Sequence, residues 1–131
     1  AARARRVPVD VTAVSAGQVH ARRDELARAV VHLLDNAARH AESRVAVALT
    51  TAPDGTVTLI VDDDGSGIDP DERERVFERF VRLDDARARD VGGAGLGLAV
   101  VDTVVRSAGG TIVAEASPLG GARLRATFPP R

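Results

Sequence analysis

"VDDDGSGI", residues 61–68, runs a β-strand straight into three acids and two glycines. Residues 56–64, "TVTLIVDDD", read as that strand, and residues 44–52, "RVAVALTTA", as its hairpin partner, because "PDG" between them is turn chemistry. Gly65 and Gly67 permit a positive φ and leave no side chain between backbone and ligand. Asp63, at the strand's end, can accept hydrogen bonds from a buried donor such as an exocyclic amine. The same octapeptide also reads as a plain acidic turn. A calcium loop is excluded. Asp62, Asp64, Ser66 and Gly67 match the first half of an EF-hand loop, but its twelfth position is Arg73, where a bidentate Glu is required.

Upstream of the hairpin, "LARAVVHLLDNAARHA" (26–41) has Leu26, Val30, Leu33, Leu34, Ala37 and Ala41 at helical spacing, which marks a buried face. Asp24 is the expected N-cap of a helix from Glu25 to His40. At about 100° per residue, Glu25, His32, Asn36 and Arg39 share a different face, which is either wet or turned into a pocket. "VPVDVTAV" (7–14) is an expected edge strand, which Pro8 suits. Residues 1–6 read as a frayed or linker end, and Val19–Ala21 as a second short strand. Downstream, Pro70–Phe77 is an expected short charged helix, 81–94 a long loop, and Leu96–Ser107 a helix ended by Gly109-Gly110. "TIVAEAS" (111–117) and "ARLRATF" (122–128) form a closing hairpin across "PLGG". The pattern is α+β, with helices layered on one face of a mixed, largely antiparallel sheet. Residues 1–17 are read as a linker and edge strand, and 18–131 as one domain.

Composition narrows the function. The chain has 131 residues, enough for one domain with a core, and a formal net charge of −1. That balance leaves no electrostatic footprint for nucleic acid or a membrane surface. Without cysteine there are neither disulfides nor thiolate metal sites. No apolar run nears the roughly 20 residues that cross a bilayer. The lack of Met makes a fragment of a larger protein the expectation.

A second glycine cluster, "GGAGLGLAVV" (92–101), opens a helix. Free N–H groups and the helix dipole attract phosphate at such a start. Gly93, Gly95 and Gly97 are spaced G-x-G-x-G, which is not the dinucleotide fingerprint. The chain contains no Lys, so it has no P-loop. The cluster can also be a plain loop entering a helix. The Asn36 amide oxygen is a hard neutral ligand suited to Mg²⁺, and Arg39 could meet a phosphate. As isolated residues, both read equally as a solvated face.

In order, "LLDNAARHA", "DDDGSGI", "VFERF" and "GGAGLGLAVV" resemble the N, G1, F and G2 boxes of the ATP-binding domain of bacterial sensor histidine kinases. These share a superfamily with DNA gyrase, heat-shock chaperone and mismatch-repair ATPases. The resemblance spans about residues 18–129. It implies a Bergerat-type two-layer α/β sandwich of about five strands and three helices, with a long lid over ATP. It also implies that Asn36 holds Mg²⁺ on the ATP phosphates and that Asp63 takes the adenine amino group. Gly65 and Gly67 would let the backbone approach the base, with Ile68 beside it. Gly93, Gly95 and Gly97 would hinge the lid and line the phosphates, next to Leu96. Arg39 and Arg82 stand where the family has basic phosphate contacts, and His40 where an aromatic packs near the nucleotide. Phe77 and Phe80 match the F box. Arg87 and Arg89 lie in the lid, where a solvated role is equally open. His32 departs from the pattern: histidine kinases usually have another Asn there, and the gyrase-like ATPases a Glu that activates water. Imidazole is a poor Mg²⁺ ligand, so the departure bears on the metal shell rather than on the nucleotide site.

The implied function is transfer of the ATP γ-phosphoryl group to a His on a separate dimeric helical hairpin, with a response regulator downstream. The implied place is the cytoplasmic side, whether or not the parent protein spans the membrane, and the isolated domain is expected to be monomeric. None of His20, His32 or His40 is followed by the acceptor pattern of an acid, a basic residue and a Pro. Three alternatives stand beside this. One is an ATP-gated clamp ATPase, which would want Glu at position 32. The others are an anti-sigma serine kinase and a degenerate domain that only binds a partner.

Overall fold

A computed structural model describes residues 9–14, 23–78 and 97–130. The architecture is a two-layer α/β sandwich whose sheet has strand order β1-β2-β3-β5-β4. The strands are β1 (Val9–Val14), β2 (Val45–Thr51), β3 (Val57–Asp63), β4 (Thr111–Ala116) and β5 (Ala122–Phe128). Strands β2, β3, β5 and β4 form an antiparallel run of four. Strand β1 adds to its edge parallel to β2, with an irregular register between Asp10 and Ala13. Two α-helices, α1 (Arg23–His40) and α2 (Gly97–Ser107), are present among the described residues.

Alternation along the strands separates the two faces. Val47, Val61, Leu124 and Ala114 lie in one cross-strand row, and Leu49, Leu59, Ala126 and Ile112 in the next. These rows form the core with the helices. The intervening rows look outward. There Arg123 makes a bidentate pair with Asp62 at 2.8 and 3.1 Å, and Arg125 another with Glu115. The Asp62 carboxylate holds the Arg123 guanidinium above its ordinary value.

Helix α1 buries Ala29, Leu33 and Ala37, with Ala41 just beyond its end. The small alanines bring its backbone close to the sheet. Leu33 is among the largest fully buried side chains, so Leu33→Ala would cost about 2–5 kcal/mol. Leu26 and Leu34 pack partly buried at the flanks. Acids in the first turn and Arg39 and His40 in the last complement the helix dipole. Asp24 is not the N-cap. The helix begins at Arg23, two residues before the expected start, so Asp24 lies inside the first turn and accepts from the Glu25 N–H at 3.0 Å.

The expected helix over 70–77 is replaced by two 3-10 turns, Pro70–Glu72 and Arg75–Phe77. So short a segment gains too few hydrogen bonds to offset α-nucleation. Asp69 caps the first turn through the Asp71 N–H, and Val76 and Phe77 pin the second to the core. Helix α2 buries Val101, Val104 and Val105, and Gly109, at φ +83°, ends it. The expected features at residues 1–6, 19–21 and 81–94 lie outside the described residues. Among the described residues, no helix is long and apolar enough to cross a membrane.

Candidate functional site

The three consecutive acids at the end of β3 go in three directions. Asp62 faces outward and pairs with Arg123. Asp63 faces inward and is 3 % exposed. Its Oδ1 accepts from the Gly65 N–H at 2.9 Å and the Ala122 N–H at 3.2 Å. Its backbone carbonyl accepts from the Gly121 N–H at 3.1 Å. One carboxylate oxygen is thus fixed by two main-chain donors, which sets the direction of the other. Asp64 turns back toward α1 and gathers the loop of residues 42–44.

The glycines after these acids have different tasks. Gly67 adopts φ +81°, the left-handed region where a Cβ is strained. Gly65 does not use the positive φ open to it. Its requirement is close approach, because a Cβ there would overlap the His40 carbonyl oxygen at the end of α1. Ile68 follows, half-buried against the core.

On α1, the polar stripe of Glu25, His32 and Asn36 is half-buried and Arg39 is exposed, so the stripe is neither fully wet nor sealed. Among the described residues, the Asn36 amide makes no hydrogen bond and Arg39 no ion pair. His40 is exposed at the helix end. The G1-like segment and the last turns of α1 therefore meet: Gly65 rests on the His40 carbonyl, one turn beyond Asn36. Gly97 heads α2, which packs along α1. Phe80, Arg82, Arg87, Arg89, Gly93, Gly95 and Leu96 lie outside the described residues. No group of three or more His, Cys, Asp or Glu side chains suited to a metal ion occurs among the described residues.

Two contributors escaped sequence reasoning. In the sequence, Gly121 carries only the turn signal of "PLGG". Gly120, at φ +106°, makes that turn. A Cβ on Gly121 would overlap Asp63 Oδ1 and crowd the Gly65 nitrogen and the Asp63 carbonyl oxygen. Gly121 is therefore the floor beneath Asp63. The available signal was a second glycine where the hairpin needs one. Asp64, with Ser43, is the other; no local pattern marks a partner some twenty residues away.

Comparison with known proteins identifies the family. Residues 21–131 match the family of histidine kinase-, DNA gyrase B- and HSP90-like ATPases. The sensor protein RstB of Escherichia coli (strain K12) is 47% identical over 102 residues, covering 78% of this chain and 23% of that protein. Among solved structures, a mycobacterial sensor histidine kinase MprB superposes with a TM-score of 0.81 at 37% identity, covering 95% of this chain and 83% of that one. Full-length ShkA in complex with AMPPNP superposes with a TM-score of 0.73 at 30% identity, covering 92% of this chain and 25% of that one. The chain spans about a quarter of the length of the curated relatives it matches.

Proposed function

We propose, since this chain belongs to the family of histidine kinase-, DNA gyrase B- and HSP90-like ATPases, that it is the ATP-binding catalytic domain of a sensor histidine kinase. The observation that carries the reading is the state of Asp63. A buried carboxylate with one oxygen held by two backbone N–H groups presents its second oxygen in a fixed direction. That suits an exocyclic amine, and adenine has one. Gly65, Gly67 and Gly121 keep side chains away from that place, and Ile68 supplies an apolar neighbour. The ATP analogue bound by ShkA supports the same ligand class.

At the other end, the Asn36 amide oxygen fits Mg²⁺, being hard, neutral and uncommitted among the described residues. When bound, the ion would screen the phosphate charge. Asn36 would hold it, and Arg39, one turn on, would pair with phosphate oxygens. His32 adds no oxygen ligand. The chain's own part is to position the nucleotide and fix its charges. An imidazole nitrogen of the acceptor hairpin attacks the γ-phosphorus. The bond to the β,γ-bridging oxygen breaks, ADP leaves, and the imidazole gives up its proton. The hairpin, a response regulator and a cytoplasmic setting belong to this proposal. A clamp-type hydrolase would want a carboxylate at position 32, where His stands.

Titration calorimetry with ATP and Mg²⁺ tests binding, and radiolabelled ATP tests transfer. The expected result is nucleotide binding without self-labelling, and labelling of an acceptor hairpin when one is added. Strong self-labelling, or no nucleotide binding, would overturn the reading.

A further inference from the structure

We propose that Asp64 is a positioning residue: its carboxylate fixes the spacing between Asp63 at the purine end and the last turn of α1 at the phosphate end. The proposal rests on the nucleotide reading above. Asp64 Oδ1 accepts from three successive N–H groups, those of Glu42 at 2.8 Å, Ser43 at 3.0 Å and Arg44 at 3.1 Å. Its Oδ2 accepts from the Ser43 hydroxyl at 2.5 Å and the Ser43 N–H at 3.2 Å. In return the Asp64 N–H donates to the Arg44 carbonyl at 3.3 Å. The loop leaving α1 is thus wrapped around one carboxylate as an anion nest.

The contact is tertiary, since the partners are 20 to 22 residues apart. It is also opposed by a steric stop. Directly after Asp64, the Gly65 backbone lies against the His40 carbonyl, with no room for a Cβ. The hydrogen bonds prevent the two segments from separating, and the glycine contact prevents closer approach. The negative end of the α1 dipole disfavours an anion here, yet the Ser43 hydroxyl and the loop N–H groups hold Asp64 well below the ordinary carboxylate range. The nest outweighs the dipole.

The consequence is specific to a ligand that spans both ends. Two subsites at a fixed separation act as a bivalent site, whose affinity depends on that separation. Loosening it weakens a ligand that touches both ends and spares one that touches a single end. Asp64→Ala is therefore expected to weaken Mg·ATP binding by about tenfold while changing adenosine binding by less than about twofold. Asp64→Asn keeps one acceptor oxygen and should return ATP affinity to within about threefold of the unaltered chain.

The measurements are calorimetry for ATP and ligand-observed NMR for adenosine, on the full chain well below each variant's Tm. A purely structural role would lower Tm and leave both affinities unchanged, which overturns the proposal. Equal weakening of ATP and adenosine overturns it too. Should Asp64→Ala fail to fold, Ser43→Ala carries the test, with a twofold to threefold loss expected for ATP alone, and no loss would overturn the proposal. Failure of the unaltered chain to bind ATP sinks the nucleotide reading itself, whereas normal ATP binding by a folded Asp64→Ala chain sinks only the positioning role.

Discussion

The two ends of the candidate site are built by opposite means. At the β3 end, main-chain donors do the holding: Gly65 and Ala122 fix Asp63 Oδ1, and Gly121 fixes its carbonyl. At the α1 end, side chains are presented without commitment. The Asn36 amide is half-buried, and neither it nor Arg39 has a described polar partner. On the proposed reading, a pre-set base end would select, because a purine would meet a carboxylate that cannot turn away. An uncommitted end at α1 would suit phosphate groups whose charge and geometry change during transfer. Preorganisation at a carboxylate thus stands beside adaptability at an amide, joined at the contact of Gly65 with α1.

Removing the adaptable end should have the largest effect. Asn36→Ala is expected to lower phosphotransfer to an added acceptor hairpin by about 100-fold or more, the scale for losing one group that stabilises transition-state charge. ADP binding without Mg²⁺ should change little. Equal losses in both assays would mean that Asn36 serves the base or the fold, and the contrast between the ends would break.

Next comes the polarity of the pre-set end. Asp63→Asn can keep its amide oxygen on the Gly65 and Ala122 donors, which turns the NH₂ toward the base. That group donates where adenine also donates. ATP affinity should fall by roughly 10- to 100-fold, the size expected for a lost charged hydrogen bond with clashing donors. GTP, with a carbonyl at the corresponding edge, should lose less. Competition binding of the two nucleotides reads this, and a uniform loss would refute a direct role of Asp63 in base choice. Gly121→Ala attacks the same end from below. Its Cβ forces the Asp63 carboxylate or the hairpin to shift, so about 1–3 kcal/mol of stability should go together with some ATP affinity. Unchanged thermal unfolding would show that the hairpin absorbs the methyl group without strain.

These residues also show where the sequence was readable. The α1 face and both hairpins follow from period, since Leu33 and Ala37 repeat at helical spacing and β5 alternates strictly between buried and half-buried residues. Asp63, Gly65 and Gly67 were legible as a set because their motif is contiguous. Asp62 and Asp64 were not, because their partners lie 61 and about 20 residues away and three like acids look alike in one dimension. Gly121 hid behind its neighbour, since a turn explains one glycine as well as two. The parallel pairing of β1 with β2 was equally unreadable, as a strand's own pattern does not name its neighbour. At 70–77, an apolar pair within a charged stretch fits an α-turn and a 3-10 turn alike, and so does the Asp69 cap; the shortness of the segment is what favours 3-10.

The smallest effect isolates the joint between the two ends by pH. The Ser43 hydroxyl first, and then the loop N–H groups, favour the ionised form of Asp64 and depress its pKa from the ordinary 3.8. A carboxylate depressed in the folded chain adds stability that is fully present above its unfolded value and is lost as pH falls through the folded one. Asp64→Asn has no such ionisation. The Tm difference between the two chains should therefore hold steady from about pH 7 to about pH 5 and shrink progressively below about pH 4. Asp54, also depressed through its bonds to Thr56, is common to both chains and cancels. Scanning calorimetry across that range reads the difference. If it stays constant down to about pH 2.5, the carboxylate is not held as an anion by the loop. The joint to α1 would then rest on the Gly65 contact and on the Asp64 N–H bond to the Arg44 carbonyl, with no anion held between the segments.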